Sequence, residues 1–188
     1  GRPRQCLKIG VESVAWAEAQ SDWRGRRGHR CVASPLPEGA VKPSPAEPNL
    51  AQLTVVEAKI QALVGPPQDV RFLGHVVMAN CPRPVTLLLP DAAVRAVVLH
   101  LDQLPARADE REALIRWRFG QEQLFPLTGT TMISQVFSGS PRAAGAAQSV
   151  LAVAVHQSVL RQYEAVCESV GLVPRDVGLT SLRLFDLW

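Results

Sequence analysis

Long apolar runs are missing from this chain. The longest, such as 150–155, reach about five to seven residues, against the ~20 needed to cross a bilayer as a helix. No apolar stretch follows the start Gly1-Arg2-Pro3-Arg4, so no signal peptide is expected. A membrane association is then expected to come through a partner or a surface patch. The four cysteines, Cys6, Cys31, Cys81 and Cys167, form no CxxC pair and no Cys/His ligand spacing. Four reduced thiols in a cytoplasmic protein are expected, and no metal site. His29, His75, His100 and His156 are dispersed, and none stands beside a Ser or Cys nucleophile in a known motif. Net charge is only +3 over 188 residues, which gives no ground for a nucleic-acid partner.

What is present suffices for a core. Apolar residues make up 47% of the sequence, enough for one ordinary domain or two small ones. Gln5 to Val11 and Ser13 to Ala19 read as two strands joined by a short glycine-containing turn. Ser21 to His29 reads as a polar loop, and Arg30 to Ser34 as a third strand. Pro35, Pro37, Pro43, Pro45 and Pro48 then forbid a helix or a central strand, so an extended surface segment is expected. Asn49 is a good helix N-cap, and Leu53, Val56, Ile60, Leu63 and Val64 follow at helical spacing. Gly65-Pro66 ends that helix. Residues 66–84 carry no clear period. Val85 to Leu89 is apolar at nearly every position, as in a strand buried on both faces.

From Asp91 the pattern becomes β-α-β-β-α-β. Its strands are Val94–Leu101, Thr130–Phe137, Gln148–His156 and Arg175–Leu179. Its helices are Ala108 to about Gln123 and one starting at Ser158, with Val159, Tyr163, Val166, Cys167 and Val170 on the apolar stripe. Thr180 to Trp188 reads as a short final helix. Periodicity alone thus predicts an α/β chain with a ferredoxin-like second half. Asp109, Glu110 and Glu112 stand near a positive helix N-terminus and read as surface charges. Trp117, with Leu114, is expected in the core. Trp23-Arg24-Gly25-Arg26-Arg27-Gly28-His29-Arg30 is the concentrated basic patch, expected as a solvated loop, with anionic lipid as its functional alternative.

The ordered series from residue 84 onward carries a resemblance. It runs Pro84-Val85-Thr86-Leu87-Leu88-Leu89-Pro90-Asp91, Val94-Arg95-Ala96-Val97-Val98-Leu99, Leu104-Pro105, Leu124-Phe125-Pro126, 149–155, Tyr163-Glu164-Ala165-Val166-Cys167 and Gly171-Leu172-Val173-Pro174. It resembles the first lobe of the type IV pilus assembly protein PilM family, actin-like proteins of inner-membrane machines. The resemblance implies an α/β (α+β) chain: a truncated actin-like, ribonuclease H-like subdomain (1–91 plus 178–188) with an inserted ferredoxin-like subdomain, 1C (92–177). It implies that a second lobe would begin beyond Trp188.

In actin-like ATPases the first hairpin carries an Asp-Ile-Gly type motif whose Asp helps to position hydrated Mg²⁺. Here the matching residues are Lys8-Ile9-Gly10-Val11-Glu12-Ser13. Lysine stands at the aspartate position, leaving Gly10 and Ser13 as phosphate-turn candidates. No enzyme activity and no cofactor are therefore expected of this chain, ATP and Mg²⁺ being possible only in a full-length protein. The resemblance implies a cytoplasmic scaffold, peripheral to the inner membrane, that binds the cytoplasmic tail of a PilN-like membrane protein and other pilus platform proteins. Family members hold that tail between the first subdomain and 1C, which makes Arg95 and Asp91 candidate partner residues. An arginine there can donate to a peptide carbonyl or side-chain amide. Peripheral contact with an anionic membrane surface is a further expectation. Alternatives are the cytoplasmic domain of a type II secretion L protein, a fragment of an actin-like ATPase, and a free-standing ferredoxin-like regulatory module.

Overall fold

A computed structural model describes residues 3–21, 27–66, 68–73, 75–122, 127–137 and 148–185. The chain forms two compact units, one of residues 1–93 with 159–188 and one of residues 94–158.

The first unit is built on a five-stranded mixed sheet. Its strands are β1 (Gln5–Ile9), β2 (Ser13–Ser21), β3 (Arg27–Pro35), β6 (Arg83–Leu89) and β10 (Leu172–Leu179), in the order β10-β6-β1-β2-β3. β1, β2 and β3 form an antiparallel meander, while β6 runs parallel to both β1 and β10. Alternation decides the buried face. Leu7 lies opposite both Trp16 and Leu87, and all three are buried. Lys8, opposite Ala15 and Leu88, shares with them the half-buried reverse face. Each fully buried aliphatic of this kind contributes about 1.5–3 kcal/mol. β4 (Gln68–Phe72) and β5 (His75–Cys81) pair as a separate hairpin in the stretch that shows no clear period.

Helix α1 (Leu53–Val64) buries Val56, Ile60 and Val64, and packs on β2 and β3. It stops at Gly65, whose φ of 73° suits glycine and whose N–H reaches Gln61 O at 2.9 Å. Asn49 is not its cap. The helix begins after Gln52, and Asn49 is instead buried in the proline-rich segment. There its Oδ1 accepts from Ser44 N (2.8 Å), its Nδ2 donates to Tyr163 Oη (3.1 Å), and its own N–H donates to Gln162 Oε1 (2.8 Å). The segment is irregular, as five prolines require, but it is packed and not merely superficial: Leu36, Ala40 and Val41 are buried.

The second unit is a three-stranded antiparallel sheet, β7 (Arg95–Leu101), β9 (Gln148–His156) and β8 (Thr130–Phe137), in the order β7-β9-β8. Helix α2 (Ala108–Glu122) covers one face, where Leu99, Leu101, Ile115, Phe119, Val150, Ala152 and Ala154 make the core. Mixed α/β architecture and the shared sheet of 94–101 and 148–156 agree with expectation. The division does not. The expected boundaries of 92–177 assign two further elements to the insert, and the structure gives both to the first unit beyond Ser158. These are α3 (Gln157–Ser169), which buries Tyr163 beside Asn49 and sets Ser169 Oγ 2.7 Å from Glu57 of α1, and β10, which pairs with β6. The insert is therefore β-α-β-β. Trp117 is a second correction. It is 57% exposed, because the α2 core face runs through Ile115 and Phe119. The final helix, α4, is described over Thr180–Phe185.

Candidate functional site

The β1–β2 turn is closed by its own backbone. Gly10 N–H donates to Ser13 O at 2.9 Å, and Leu36 N donates to Glu12 O at 2.8 Å. Gly10 is buried, and a Cβ there would lie 3.1 Å from Ser13 O and 3.6 Å from Lys8 Cε. Close approach is thus what the position requires. Lys8 runs alongside the glycine, so the side chain next to this turn is cationic. Glu12 is exposed on the turn. Among the described residues no group of three or more His, Cys, Asp and Glu is placed to hold a metal ion.

Asp91 opens a single 3₁₀ turn after β6 (Asp91–Ala93), with Ala93 N donating to Pro90 O at 3.0 Å. Its carboxylate faces the start of α4. Oδ1 accepts from Ser181 N at 3.1 Å and Oδ2 from Ser181 Oγ at 2.5 Å, while Thr180 Oγ1 donates to Leu89 O at 3.2 Å. A carboxylate on exposed helix N–H groups is a favourable cap. Asp91 therefore has a structural use that its sequence context did not reveal. The signal was faint, since Ser181 lies ninety residues away in the chain. Arg95 starts β7 opposite Ala154 and is exposed. Of the four candidates, Gly10 and Ser13 come together in one turn, whereas Asp91 belongs to the first unit and Arg95 to the second.

The remaining polar residues fall into local pairs. His156 Nδ1 lies 2.7 Å from Ser158 Oγ and accepts from Ser158 N at 3.3 Å, at the first turn of α3. His100 Nδ1 lies 3.2 Å from Ser149 Oγ. Both pairs are exposed, with no third group orienting either ring among the described residues. Asp109 and Glu110 pair with exposed Arg107 at 2.8 and 3.5 Å, as surface charges at a helix start do. In the basic patch, His29 and Arg30 are exposed on β3, while Trp23 to Arg26 lie outside the described residues.

No protein-family model matches the chain, and no curated protein matches it in sequence. Solved structures do. One is described as the PilM-PilN type IV pilus biogenesis complex, with a TM-score of 0.69 at 18% identity over 98% of this chain and 51% of the other. The chain has the fold of an actin-like first lobe. A second similar structure is the cytoplasmic domain of EpsL, an inner-membrane component of the type II secretion system of Vibrio cholerae. Its TM-score is 0.51 at 11% identity, over 93% of this chain and 56% of that one. The actin-like lobe thus spans about half the length of each of these two structures. Among the described residues no helix is long and apolar enough to cross a membrane.

Proposed function

We propose that this chain is a non-catalytic scaffold module that binds a cytoplasmic segment of an inner-membrane protein within a pilus assembly machine. The observation that carries this reading is the fold. Nearly the whole chain superimposes on half of PilM from a complex with PilN. Lys8 beside Gly10 supports the non-catalytic part, because it puts a cation where the Mg²⁺ of an actin-like nucleotide site needs an oxygen anchor. The partner is a PilN-like tail, and Arg95 is the residue to test first, being exposed and able to donate to peptide carbonyls.

The test is a calorimetric titration of the protein with a synthetic peptide of the cytoplasmic tail of a PilN-like protein from the same organism. Saturable binding that a scrambled peptide does not reproduce supports the adaptor reading. Absence of binding sinks it. The EpsL likeness favours one second reading, a type II secretion scaffold. That reading gains if the neighbouring genes encode a secretion machine and the protein binds their membrane component instead.

A further inference from the structure

Among the described residues, four strands form the outer edges of the five- and three-stranded sheets, and three of them are guarded. β3 carries Arg27, His29, Arg30 and Pro35, β7 carries Arg95 and His100, and β10 carries Pro174, Arg175 and Asp176 with a register shift between Pro174 and Asp176. Charges, prolines and bulges are the usual means of keeping an edge from pairing with another chain. β8 has none of them. It reads Thr-Thr-Met-Ile-Ser-Gln-Val-Phe over eight residues and pairs with β9 in one unbroken register. Ile133 is 65% exposed, Phe137 47% and Val136 38%. Alternate residues of an antiparallel edge turn their N–H and C=O groups outward, so β8 offers a template for a fourth strand.

A groove of about 820 Å³ runs beside this edge, on the side of the sheet that α2 covers. Leu104, Pro105, Ile115, Met132 and Val136 make its apolar walls, with Ser134 between them. Arg111 also lines it. This arginine is half-buried, reaches Pro105 O only at 3.4 Å, and makes no ion pair among the described residues. Glu112 lines the groove too but is exposed, so its charge is the better screened of the two.

We infer that β8 and this groove form a docking site for an extended peptide segment of a partner protein. The segment adds to the sheet as a strand, sets apolar side chains into the groove at alternate positions, and carries an acidic residue that meets Arg111. Backbone hydrogen bonds supply affinity and the groove supplies choice, as in other cases of strand addition. A second copy of β8 fits less well. It has no carboxylate for Arg111, and its groove-side residues would be Met132, Ser134 and Val136, of which Ser134 adds little volume. The inference goes beyond the pilus reading and does not depend on it.

The experiment pans a phage-displayed library of random octapeptides against the full chain, then titrates the enriched sequence as a synthetic peptide. Enrichment of sequences with apolar residues at every second position and one Asp or Glu is expected, with hydrogen-exchange protection over residues 130–137. Val136→Lys and Ser134→Lys place charges at exposed groove positions and should weaken binding at least about tenfold without altering the fold's own exchange pattern. Arg111→Gln should cost about tenfold with the acidic peptide and almost nothing once its acid is changed to the amide. No enrichment, enrichment without a two-residue period, or equal binding by the lysine variants would overturn the site. Concentration-dependent dimerisation that protects 130–137 without peptide would also overturn it and assign the edge to a second copy. The PilN-like tail is a different probe tested through Arg95, so failure of either reading leaves the other standing.

Discussion

The guanidinium of Arg83 lies 5.7 Å from the centroid of the Trp16 ring and ends α1 from outside the helix. Its Nη1 donates to Val64 O at 3.0 Å and its Nη2 to Gly65 O at 3.3 Å. α1 has no basic residue in its own last turn, so a cation from the start of β6 meets the negative end of the helix. Burial pulls the Arg83 pKa below its ordinary value, and Glu18 opposes that pull. Nε is buried without a partner, which makes the site costly to build and sensitive to change.

Arg83→Met should therefore destabilise the protein by about 2–4 kcal/mol, because two helix-end carbonyls lose their donors in a buried place. Arg83→Lys should recover less than half of that, since a point ammonium cannot make the two-pronged contact. Trp16→Leu combined with Arg83→Met in a double-mutant cycle should show a coupling of roughly 0.5–2 kcal/mol. Urea unfolding measures all three, and additive effects would remove the cation–π contribution.

Asn49 should be the most sensitive polar residue of the proline-rich segment. Asn49→Ala removes the hydrogen bonds to Ser44 N and Tyr163 Oη in a fully buried site, with an expected cost of about 2–4 kcal/mol. Tyr163→Phe removes one of those bonds and should cost only about 0.5–1.5 kcal/mol. Equal losses from the two substitutions would mean that the Ser44 contact contributes nothing.

These polar contacts also mark where the sequence stopped being readable. Local pattern placed α2, β8 and β9 to within a residue or so, whereas α1 begins three residues later than an Asn49 cap implies. Asn49 was misread because a cap and a buried amide look alike locally; its partner Tyr163 is 114 residues away. The same blindness moved α3 and β10 into the wrong unit. A β-α-β-β-α-β string does not say which sheet its last strand joins, and β10 joins β6. Trp117 was misplaced because Leu114, Trp117 and Phe119 admit two helix stripes. Of the candidate residues, the turn pair Gly10 and Ser13 was legible from a local motif. The engagement of Asp91 by Ser181 was not, since it depends on tertiary contact alone.

Stability should decline on the alkaline side through Cys167 and Tyr163. Burial, helped by Glu164 and Glu168, pushes the Cys167 thiol from 9.0 up to about 12. Burial also raises Tyr163, against the opposing hydrogen bond from Asn49. Each group is neutral when protonated, and each binds its proton more tightly folded than unfolded. The stability they confer is complete below the unfolded pKa values and is lost as pH rises toward the folded ones. Unfolding free energy should thus fall from about pH 9 upward, and Cys167→Ala should flatten part of that limb. At pH 8 a thiol reagent should modify exposed Cys31 quickly and Cys167 only on unfolding. Rapid labelling of Cys167 in the native protein would contradict its burial.

Titration with ATP and Mg²⁺ at millimolar concentration should give no saturable heat. Lys8 occupies a half-buried place beside the Gly10 turn, and among the described residues no group of three or more His, Cys, Asp and Glu is placed to hold the hydrated cation. A micromolar dissociation constant would overturn the non-catalytic reading and direct attention to Gly10 and Ser13.

Arg95 and Asp91 should separate in a partner titration. Arg95 is exposed at the start of β7, so Arg95→Ala should leave the unfolding free energy within about 0.5 kcal/mol of wild type. If its guanidinium donates to the bound PilN-like tail, the same substitution should weaken binding by roughly 1–3 kcal/mol, most of it in the dissociation rate. Asp91→Ala should instead cost about 0.5–2 kcal/mol of stability, because α4 loses the carboxylate that caps Ser181. Its effect on binding must then be read against Asp91→Asn, which keeps an oxygen acceptor for Ser181 N while removing the charge. Weakened binding by Asp91→Asn at unchanged stability would give Asp91 a direct role at the partner site. Weakening only in the destabilised alanine variant would confine it to holding α4. Equal affinity of wild type and Arg95→Ala would take Arg95 out of the site.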